Sequence, residues 1–510
     1  MSPALLPAII PLALVLTALF QRGRGAGGPV VEWIALGAML VSLAGLPLAF
    51  LLEPSLLSHP WIRLTPMSAL LVVLVASIGW LVLRYSNTCL AGEPRLGEYR
   101  RWLLLTLAAV NVVVLANHLL LLVAGWVGIG LALHRLLTFY PNRPRAALAA
   151  HKKFLFTRLS ELLLLTAALL LYSHHGTFQL DSILAAYPAV ALTATEQWAV
   201  ALLALVALIT CAQLPVHGWL IQVVEAPTPV SALLHAGVVN LGGYLLLLFS
   251  PLLEQAVPAR WLLLMVAGAT LVLASWIMLT RVSLKVRLAW STSAQMALML
   301  IECALGLYEL ALLHLVAHSC YKAHAFLNSG SAVFDHIRKS LAPVRQAPSI
   351  RQWVSAACFS TLAVAAVAMA FDSAWVSPWV LFGLALTQLL AERQPCRQSL
   401  PPFTLLALAL VVAYGLQKWL FGNGFAAPAS AVPVAADLWV ALLWFVLFAG
   451  QWAWNWAPAS PHRDRFHRWL FSGLYLDEWV TRITLDLWPT ELPKRARAKH
   501  QPGTAGRNAA

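Results

Sequence analysis

The chain has 510 residues, of which 60% are hydrophobic and only 11% are charged, and its formal net charge is +14. A soluble domain carries about 25% Asp, Glu, Lys and Arg, so this chain has too few charged residues to cover a soluble surface. The composition excludes a soluble enzyme, a nucleic-acid reader and a disordered chain, and it indicates a helical protein that crosses a membrane many times.

Apolar runs of about 17 to 25 residues, the length that a membrane-spanning helix needs, recur along the chain. They predict an all-α polytopic membrane protein with about 15 transmembrane helices inside residues 1–456. The first run lacks a basic start, so it is interpreted as a span and not as a cleaved signal. The predicted spans are 3–20, 30–52, 66–84, 101–117, 118–137, 154–172, 197–214, 228–250, 261–280, 287–307, 308–334, 353–371, 374–392, 402–420 and 435–456.

The basic residues are concentrated in alternate loops between these spans. Twenty-nine of the 34 Lys and Arg residues fall on one side, whereas only Arg63, Arg260 and Lys418 fall on the other. Because basic loops remain in the cytoplasm, the pattern predicts an inner-membrane protein with its N-terminus outside and its C-terminus in the cytoplasm. The cytoplasmic loops therefore account for the positive net charge. The chain is expected to contact the lipid bilayer, and no nucleic-acid partner is expected.

Two charged residues lie in the interior of the predicted span 154–172. Arg158 and Glu161 are three residues apart there, which places them on one helix face where they can pair. A charge at the centre of a bilayer costs at least about 2.5–3.5 kcal/mol on insertion scales, so a charge that persists there indicates a function. We therefore expect both residues to belong to a proton pathway.

Three prolines interrupt the chain at residues 215–229, between two predicted spans. Proline removes a backbone donor and opens a helix, and broken helices in transporters commonly mark ion pathways. His217, Glu225 and His235 lie in or beside this interruption. We predict a broken helix here, with the three side chains feeding a proton pathway, although Glu225 can equally be a helix cap or hinge near the cytoplasmic face.

The richest polar cluster lies in the span 308–334. His314, His318 and Lys322 are each four residues apart, which stacks them along one face of a helix over about 12 Å. Imidazole can accept a proton on one nitrogen and release one from the other, so the row predicts a proton wire. The alternative interpretation is three polar side chains that are simply satisfied by neighbouring helices.

No catalytic or metal-binding motif is found. The six cysteines form no C-x-x-C pair, and no Cys/His cluster has zinc spacing, so neither a disulfide framework nor a metal is expected. A nucleophile elbow, a P-loop and a Rossmann fingerprint are also missing from the sequence. The chain is predicted to be a transport subunit without catalytic activity and without a cofactor.

Residues 457–493 form a segment of another kind, since charged and apolar side chains alternate with helical spacing over about 464–488. This predicts an amphipathic cytoplasmic helix, either lying on lipid or docking a soluble partner through Trp469, Leu476, Asp477 and Trp479. Residues 494–510 are expected to be a basic disordered tail.

Four sequence blocks carry a family resemblance. They are AQLPVHGWL at 212–220, EAPTPVSALLHA at 225–236, LAWSTSAQ at 288–295 and LLHLVAHSCYKAHAFL at 312–327. Together they resemble the antiporter-like membrane subunits of respiratory complex I, a family shared with multi-subunit cation/proton antiporters. The stretches AGVVNLGGY at 236–244 and LYLDEW at 474–479 are similar to the DabB branch, the membrane subunits of two-part inorganic-carbon pumps.

This resemblance implies a role in energy coupling. DabB-like subunits pair with DabA, a zinc subunit resembling β-carbonic anhydrases, so a DabA-like zinc partner is expected at the cytoplasmic face. Cation flow through the membrane subunit is then expected to drive hydration of CO2 to bicarbonate in that partner.

The resemblance to complex I departs at two positions. Val127 stands where the family has a glutamate and Thr210 stands where it has a lysine, so the pair thought to gate protons in complex I is missing. A proton-pumping subunit of a complex I-like quinone oxidoreductase, or a subunit of a cation/proton antiporter, remains the alternative function. Gene neighbourhood would discriminate between them.

Overall fold

The computed structural model describes residues 3–21, 28–140, 143–187, 191–341, 348–370, 376–391, 409, 412, 415–416, 434–456 and 460–489. Across these residues the chain is helical, with loops and three isolated β-bridges between the helices. Within the same residues, nine helices are long and apolar enough to cross a membrane, and three shorter apolar helices accompany them. The predicted class, an all-α protein with many membrane spans, is confirmed.

Most predicted spans contain a helix in the described parts of the chain, although α6 begins ten residues before its predicted span and the predicted span 228–250 is divided between α9 and α10. The main helices are α1 (Ile9–Phe20), α2 (Gly28–Gly45), α3 (Pro66–Cys89), α4 (Leu96–Leu115), α5 (Leu119–Leu137), α6 (Pro144–His175), α7 (Ala194–Thr210), α8 (Gly218–Gln222), α9 (Thr228–Ala236), α10 (Leu241–Leu248), α11 (Val257–Leu279), α12 (Leu284–Leu305), α13 (Tyr308–Leu327), α14 (Ile350–Ala370), α15 (Ser377–Ala391), α16 (Val434–Trp456), α17 (Pro461–Phe471) and α18 (Leu476–Leu487). Short helices also form at Leu48–Leu51, Leu180–Ala185, Ser250–Gln255 and Ala332–Ser340. The predicted span 402–420 lies almost wholly outside the described residues.

Local sequence signals set several helix ends. Thr65 and Ser68 form a reciprocal capping box at the start of α3, and Thr193 and Glu196 form another at the start of α7. Gly176 ends α6 in the left-handed conformation, with φ of 68°, which glycine adopts without a steric penalty.

The chain breaks between α7 and α9, where the prolines predict it. Helix α7 ends at Thr210, residues 211–217 form turns, and the short helix α8 and a 3-10 turn (Val223–Glu225) precede α9. A second break was not predicted, because the sequence indicates one continuous span over 228–250. Gly237, with φ of −126° and ψ of −74°, leaves helical geometry there, and a 3-10 turn separates α9 from α10.

Helices α9 and α10 lie at the centre of the protein and are almost wholly buried. Helix α9 packs against α3 and α13, while α12 packs against α11 and α13. The predicted division into 1–456, 457–493 and 494–510 stays a prediction, and 494–510 lies outside the described residues.

The two ends of the helix bundle differ in charge. Arg95, Arg143 and Arg281 bond backbone carbonyls at the end where α6, α12 and α17 meet the loops, and we call this end the basic face. The opposite face carries the ion pair between Arg63 and Asp181.

Candidate functional site

The row of ionisable side chains predicted on α13 lies inside the protein. The rings of His314 and His318 are 6.1 Å apart between centroids, and Lys322 follows one turn later. His318 and Lys322 are buried, and His314 keeps 11% of its side chain exposed. Both His314 and Lys322 contact α12, so the row faces protein and not lipid.

Lys322 is held by neutral oxygen atoms. Its Nζ donates to the carbonyl oxygen of Leu288, 3.1 Å away, and to Oγ of Ser291, 2.7 Å away. Among the residues that the structure describes, no carboxylate lies within 4.0 Å of this amine. A buried amine in such surroundings can release a proton without breaking an ion pair.

His314 is flanked by an oxygen acceptor on each side of its ring. Its Nδ1 lies 3.0 Å from the nearer carboxylate oxygen of Glu302, and its Nε2 lies 3.0 Å from Oε1 of Gln295. An imidazolium satisfies both contacts by donating from both nitrogens, and a neutral ring satisfies them by donating from Nε2 to Gln295 while a protonated Glu302 donates to Nδ1. Glu302 is itself buried, so the two side chains form a pair that can share a proton.

His235 of α9 reaches the same region from the broken span. Its Nδ1 lies 3.2 Å from Oγ1 of Thr292 on α12, and its ring stacks on Phe326 of α13 at 4.4 Å. Its Nε2 and both ring nitrogens of His318 are buried without a hydrogen-bond partner in the described protein. Buried polar atoms are rarely left unpaired, so these three nitrogens are distinctive features of the site.

A cavity of about 100 Å³ adjoins Glu302 on the side of α15 and α16. Its lining includes Ser377, at the start of α15, and Trp444, on α16. The hydroxyl of Ser377 and Nε1 of Trp444 are buried without a partner in the described residues. The other lining residues are apolar, so Glu302, Ser377 and Trp444 are the polar members of a mostly apolar wall.

Side chains from α11 and α12 satisfy the backbone groups that the break after α7 leaves open. Leu214 N donates to Oγ1 of Thr270, and Oγ of Ser293 donates to the carbonyl oxygen of Ala212. Ala212 itself adopts a left-handed φ of 51°, a strained conformation for a residue with a side chain. Unwound backbone at membrane depth is tolerated where protein surrounds it, and helices α11 and α12 surround it here.

His217 lies in this break, apart from the row on α13. Its ring packs against Trp290 of α12 at 4.9 Å, and its Nδ1 lies 3.3 Å from the carbonyl oxygen of Pro215.

The predicted pair on α6 forms. Nη2 of Arg158 lies 2.7 Å from Oε1 of Glu161, and the pair packs over Gly130 of α5, where a Cβ would stand 2.6 Å from the same oxygen. Glu225 lies at the end of the 3-10 turn, where its backbone carbonyl accepts from Arg143. The structure thus groups His235, His314, His318 and Lys322 and places His217, Glu225 and the Arg158–Glu161 pair on other elements.

Thr210, which the resemblance to complex I places where that family has a lysine, lies beside another neutral side chain. Thr210 Oγ1 lies 3.5 Å from Oγ of Ser160, and both residues line a small cavity with Trp126. Lys153 of α6 lines the same cavity and is buried. A buried lysine is therefore present close to Thr210, and it belongs to α6 and not to α7.

The C-terminal helices pack on the basic face of their own chain. Both carboxylate oxygens of Asp477 lie 2.9 Å from Nζ of Lys152, and one also accepts from Nε2 of Gln222 at 2.6 Å. A Cβ at Gly218 would overlap this carboxylate. Asp477 thus joins α18 to α6 and to α8, the short helix in the break.

Of the four side chains predicted to contact a partner, two are largely exposed. Trp469 is 54% exposed and Trp479 is 66% exposed, whereas Leu476 is half-buried. The carboxylate of Asp477 faces inward onto Lys152, so it is not free for another molecule in this structure. Contact with a partner through Trp469 and Trp479 stays a prediction.

The contact between Glu302 and His314 and the polar side chains of α12 were not predicted from the sequence. Gln295 follows Ser291 by four residues and Glu302 follows Gln295 by seven. These spacings correspond to about one and two helical turns, so the three side chains lie on one face of α12. This polar stripe on an otherwise apolar span was the signal that could have identified α12 as the opposite wall of the site.

Comparison with known protein families agrees with this geometry. The model of the NADH:quinone oxidoreductase/Mrp antiporter transmembrane family matches residues 116–390, which contain α9, α12 and α13. The chain is 45% identical over 500 residues, 96% of each chain, to the probable inorganic carbon transporter subunit DabB of Hydrogenovibrio crunogenus. It is 38% identical to DabB2 of Halothiobacillus neapolitanus, covering 87% of this chain and 84% of that one.

More distant similarity extends to respiratory and antiporter complexes. NADH-quinone oxidoreductase subunit L of Escherichia coli is 33% identical over 52% of this chain and 44% of its own length. In the structure of the Mrp complex from Dietzia, a subunit matches with a TM-score of 0.55 and 23% identity, over 94% of this chain and 56% of that chain. These two similarities support the same antiporter-like fold.

Proposed function

Because the chain belongs to the NADH:quinone oxidoreductase/Mrp antiporter family of membrane subunits, and within it to the DabB subunits of inorganic carbon transporters, we propose that it is the cation-conducting membrane subunit of an inorganic-carbon accumulating complex. The cation is a proton. Imidazoles and an amine carry protons, whereas hard metal cations require a shell of oxygen ligands that the row on α13 does not offer.

The observation that carries this proposal is the buried series of Lys322, His318, His314 and Glu302. Each member can take up or release a proton, and the series follows α13 from the basic face towards the opposite face. A proton passes between Glu302 and His314 through their direct contact, and His318 and His235 relay it to Lys322 through water at their unpaired nitrogens. Proton entry or exit on the far side uses the cavity between Glu302, Ser377 and Trp444.

Coupling to a partner uses the break and the C-terminal helices. Asp477 contacts Lys152 of α6 and Gln222 of α8, so a displacement of the broken segment moves α18 at the basic face. The exposed Trp469 and Trp479 on the same segment are the proposed contacts for a soluble subunit. The basic face is the cytoplasmic face of the inner membrane in this proposal.

The soluble partner is proposed to be a zinc subunit resembling carbonic anhydrases, which hydrates CO2 to bicarbonate. Each proton that moves down the membrane potential supplies about 2.3 kcal/mol per 100 mV. An energy of this size shifts an equilibrium by more than about tenfold, which is enough to bias the hydration in one direction. Catalysis is assigned to the partner, and this chain supplies the energy.

A redox-driven pump or a cation/proton antiporter is the alternative function. The buried Lys153, close to Thr210, is the observation that favours it, because a cation there takes the place of the missing lysine. Co-purification distinguishes the two functions, since a redox pump requires electron-transfer subunits and an inorganic-carbon pump requires only the soluble zinc subunit.

The test begins with the full chain, purified together with the soluble proteins encoded beside it. Zinc is measured on the separated soluble subunit, and carbon uptake is measured in a bacterial strain that lacks carbonic anhydrase. We expect Lys322→Ala to abolish carbon uptake while the complex still assembles. His324→Ala, which changes an exposed ionisable residue on the same helix, is the matched control and should retain uptake. Normal uptake in Lys322→Ala would overturn the proposal.

A further inference from the structure

Two histidines and a glutamate meet at the opposite face, away from the row on α13. His174 and His175 are the last two residues of α6, and Glu196 lies in the first turn of α7. The ligand atoms of all three lie within 4.8 Å of one another. The proposed proton pathway does not use any of them.

The distances within this cluster suit a metal ion. Oε1 of Glu196 lies 3.1 Å from Nε2 of His175 and 3.5 Å from Nε2 of His174. In a tetrahedral zinc site with bonds of about 2.0–2.2 Å, neighbouring ligand atoms are about 3.3–3.6 Å apart. Small side-chain shifts would therefore place an ion between the two imidazoles and the carboxylate.

Glu196 is already oriented for this role by its helix cap. Its Oε2 accepts from the backbone N–H of Thr193 at 2.7 Å and from the Thr193 hydroxyl at 2.6 Å, which leaves Oε1 turned towards the imidazoles. The side chain is only 2% exposed. Within the described parts of the chain, the only basic side chains within 4.0 Å of this carboxylate are the two histidines. A buried carboxylate is stabilised by a nearby positive charge, and a metal ion or a protonated imidazole can provide one at Oε1.

We propose that His174, His175 and Glu196 form a binding site for a divalent metal ion of intermediate softness such as Zn²⁺. Two imidazoles and one carboxylate are the donor set that zinc accepts, with a fourth position open to water. The hydroxyl of Tyr187 lies 3.2 Å from Nε2 of His175, a contact that this nitrogen would give up on binding the ion. The ion would join the end of α6 to the start of α7, the helix that leads into the break.

The sequence contains no indication of this site, and it predicted that no metal is bound. Two adjacent histidines and a glutamate 21 residues later do not have the spacing of a zinc motif. The site arises because Gly176 ends α6 and the short helix Leu180–Ala185 returns the chain to Thr193.

Equilibrium dialysis of the purified full chain against Zn²⁺, after removal of metal with a chelator, tests this site. We expect about one zinc ion per chain by elemental analysis, and a loss of affinity greater than about 10–100-fold in His174→Ala, since even changes beyond the ligands weaken binding by that much. The side chain of His174 is exposed, so this variant should fold. His462→Ala, another exposed histidine, is the matched control and should bind as the unaltered chain does.

A second variant, Glu196→Gln, keeps an oxygen for the helix cap but removes the charge, and it should also lose zinc. Co²⁺ in place of Zn²⁺ should give the strong visible absorption of a four-coordinate site. The proposal would be overturned if the unaltered chain bound no zinc, or if His174→Ala and Glu196→Gln bound zinc as tightly as the unaltered chain does. Either result would show that the histidines serve only as hydrogen-bond partners of Glu196. Neither outcome affects the proton pathway, because that proposal is tested by carbon uptake in Lys322→Ala.

Discussion

Replacing Asp477 with asparagine removes the charge that holds the C-terminal helices against the membrane domain. The substitution keeps the shape of the side chain, so it leaves the ammonium group of Lys152 buried without a counter-charge. The side chain of Lys152 is 0% exposed and that of Asp477 is 25% exposed. Water can therefore reach the carboxylate in part but cannot reach the amine.

The expected destabilisation follows from these exposures. Removing one partner from a buried ion pair costs about 3–5 kcal/mol. Because Asp477 is partly exposed, and because Lys152 keeps the hydroxyl of Thr481 at 2.6 Å, we expect about 2–3 kcal/mol for Asp477→Asn. This corresponds to an increase of about 30- to 150-fold in the population with α18 detached.

Limited proteolysis with trypsin in native membranes measures this population, since cleavage after Arg482 of α18 requires the helix to open. Glu478→Gln, at the neighbouring exposed position, is the control and should be cleaved at the normal rate. The double variant Lys152→Met/Asp477→Asn removes the orphaned charge and should recover most of the resistance. If Asp477→Asn is cleaved no faster than the unaltered chain, then the ion pair does not hold α18 in place.

Three further substitutions test other parts of the site. Glu302→Gln removes the proton acceptor of His314 and should reduce carbon uptake by about tenfold or more without preventing assembly; uptake at the normal rate would exclude Glu302. His235→Phe keeps the stack on Phe326 but loses the relay nitrogens, so carbon uptake should fall while thermal stability in detergent stays nearly constant. Gly130→Ala places a Cβ 2.6 Å from the Glu161 carboxylate and should lower stability by about 1–3 kcal/mol in thermal unfolding; an unchanged midpoint would mean that the pair has room to move.

The sequence predicts the positions of the spans and the first break because hydropathy and proline act locally. It also predicts the row on α13, since four-residue spacing on a single helix is readable without knowledge of neighbouring helices. The second break, at Gly237, escaped prediction because the flanking residues are apolar enough to continue a span.

Contacts between distant segments were not predictable from one sequence. Glu302 meets His314 only because the turn after α12 sets the rotation of α13, and Lys152 meets Asp477 across 325 positions. Such pairs depend on the packing of helices against one another, which periodicity within a single helix does not specify. The predicted outward role of Asp477 illustrates this, because the amphipathic pattern identifies a contact face but not the surface that covers it.

Proton entry into sealed vesicles tests the central claim most directly. The chain and its soluble partner are reconstituted together, a potassium diffusion potential is applied, and a trapped pH dye reports the internal pH. We expect the unaltered complex and His324→Ala to move protons at the same rate and Lys322→Met to lose at least about nine-tenths of that rate, because its buried side chain can no longer carry a proton. Proton movement at the full rate in Lys322→Met, or ion movement without any change in internal pH, would contradict the account.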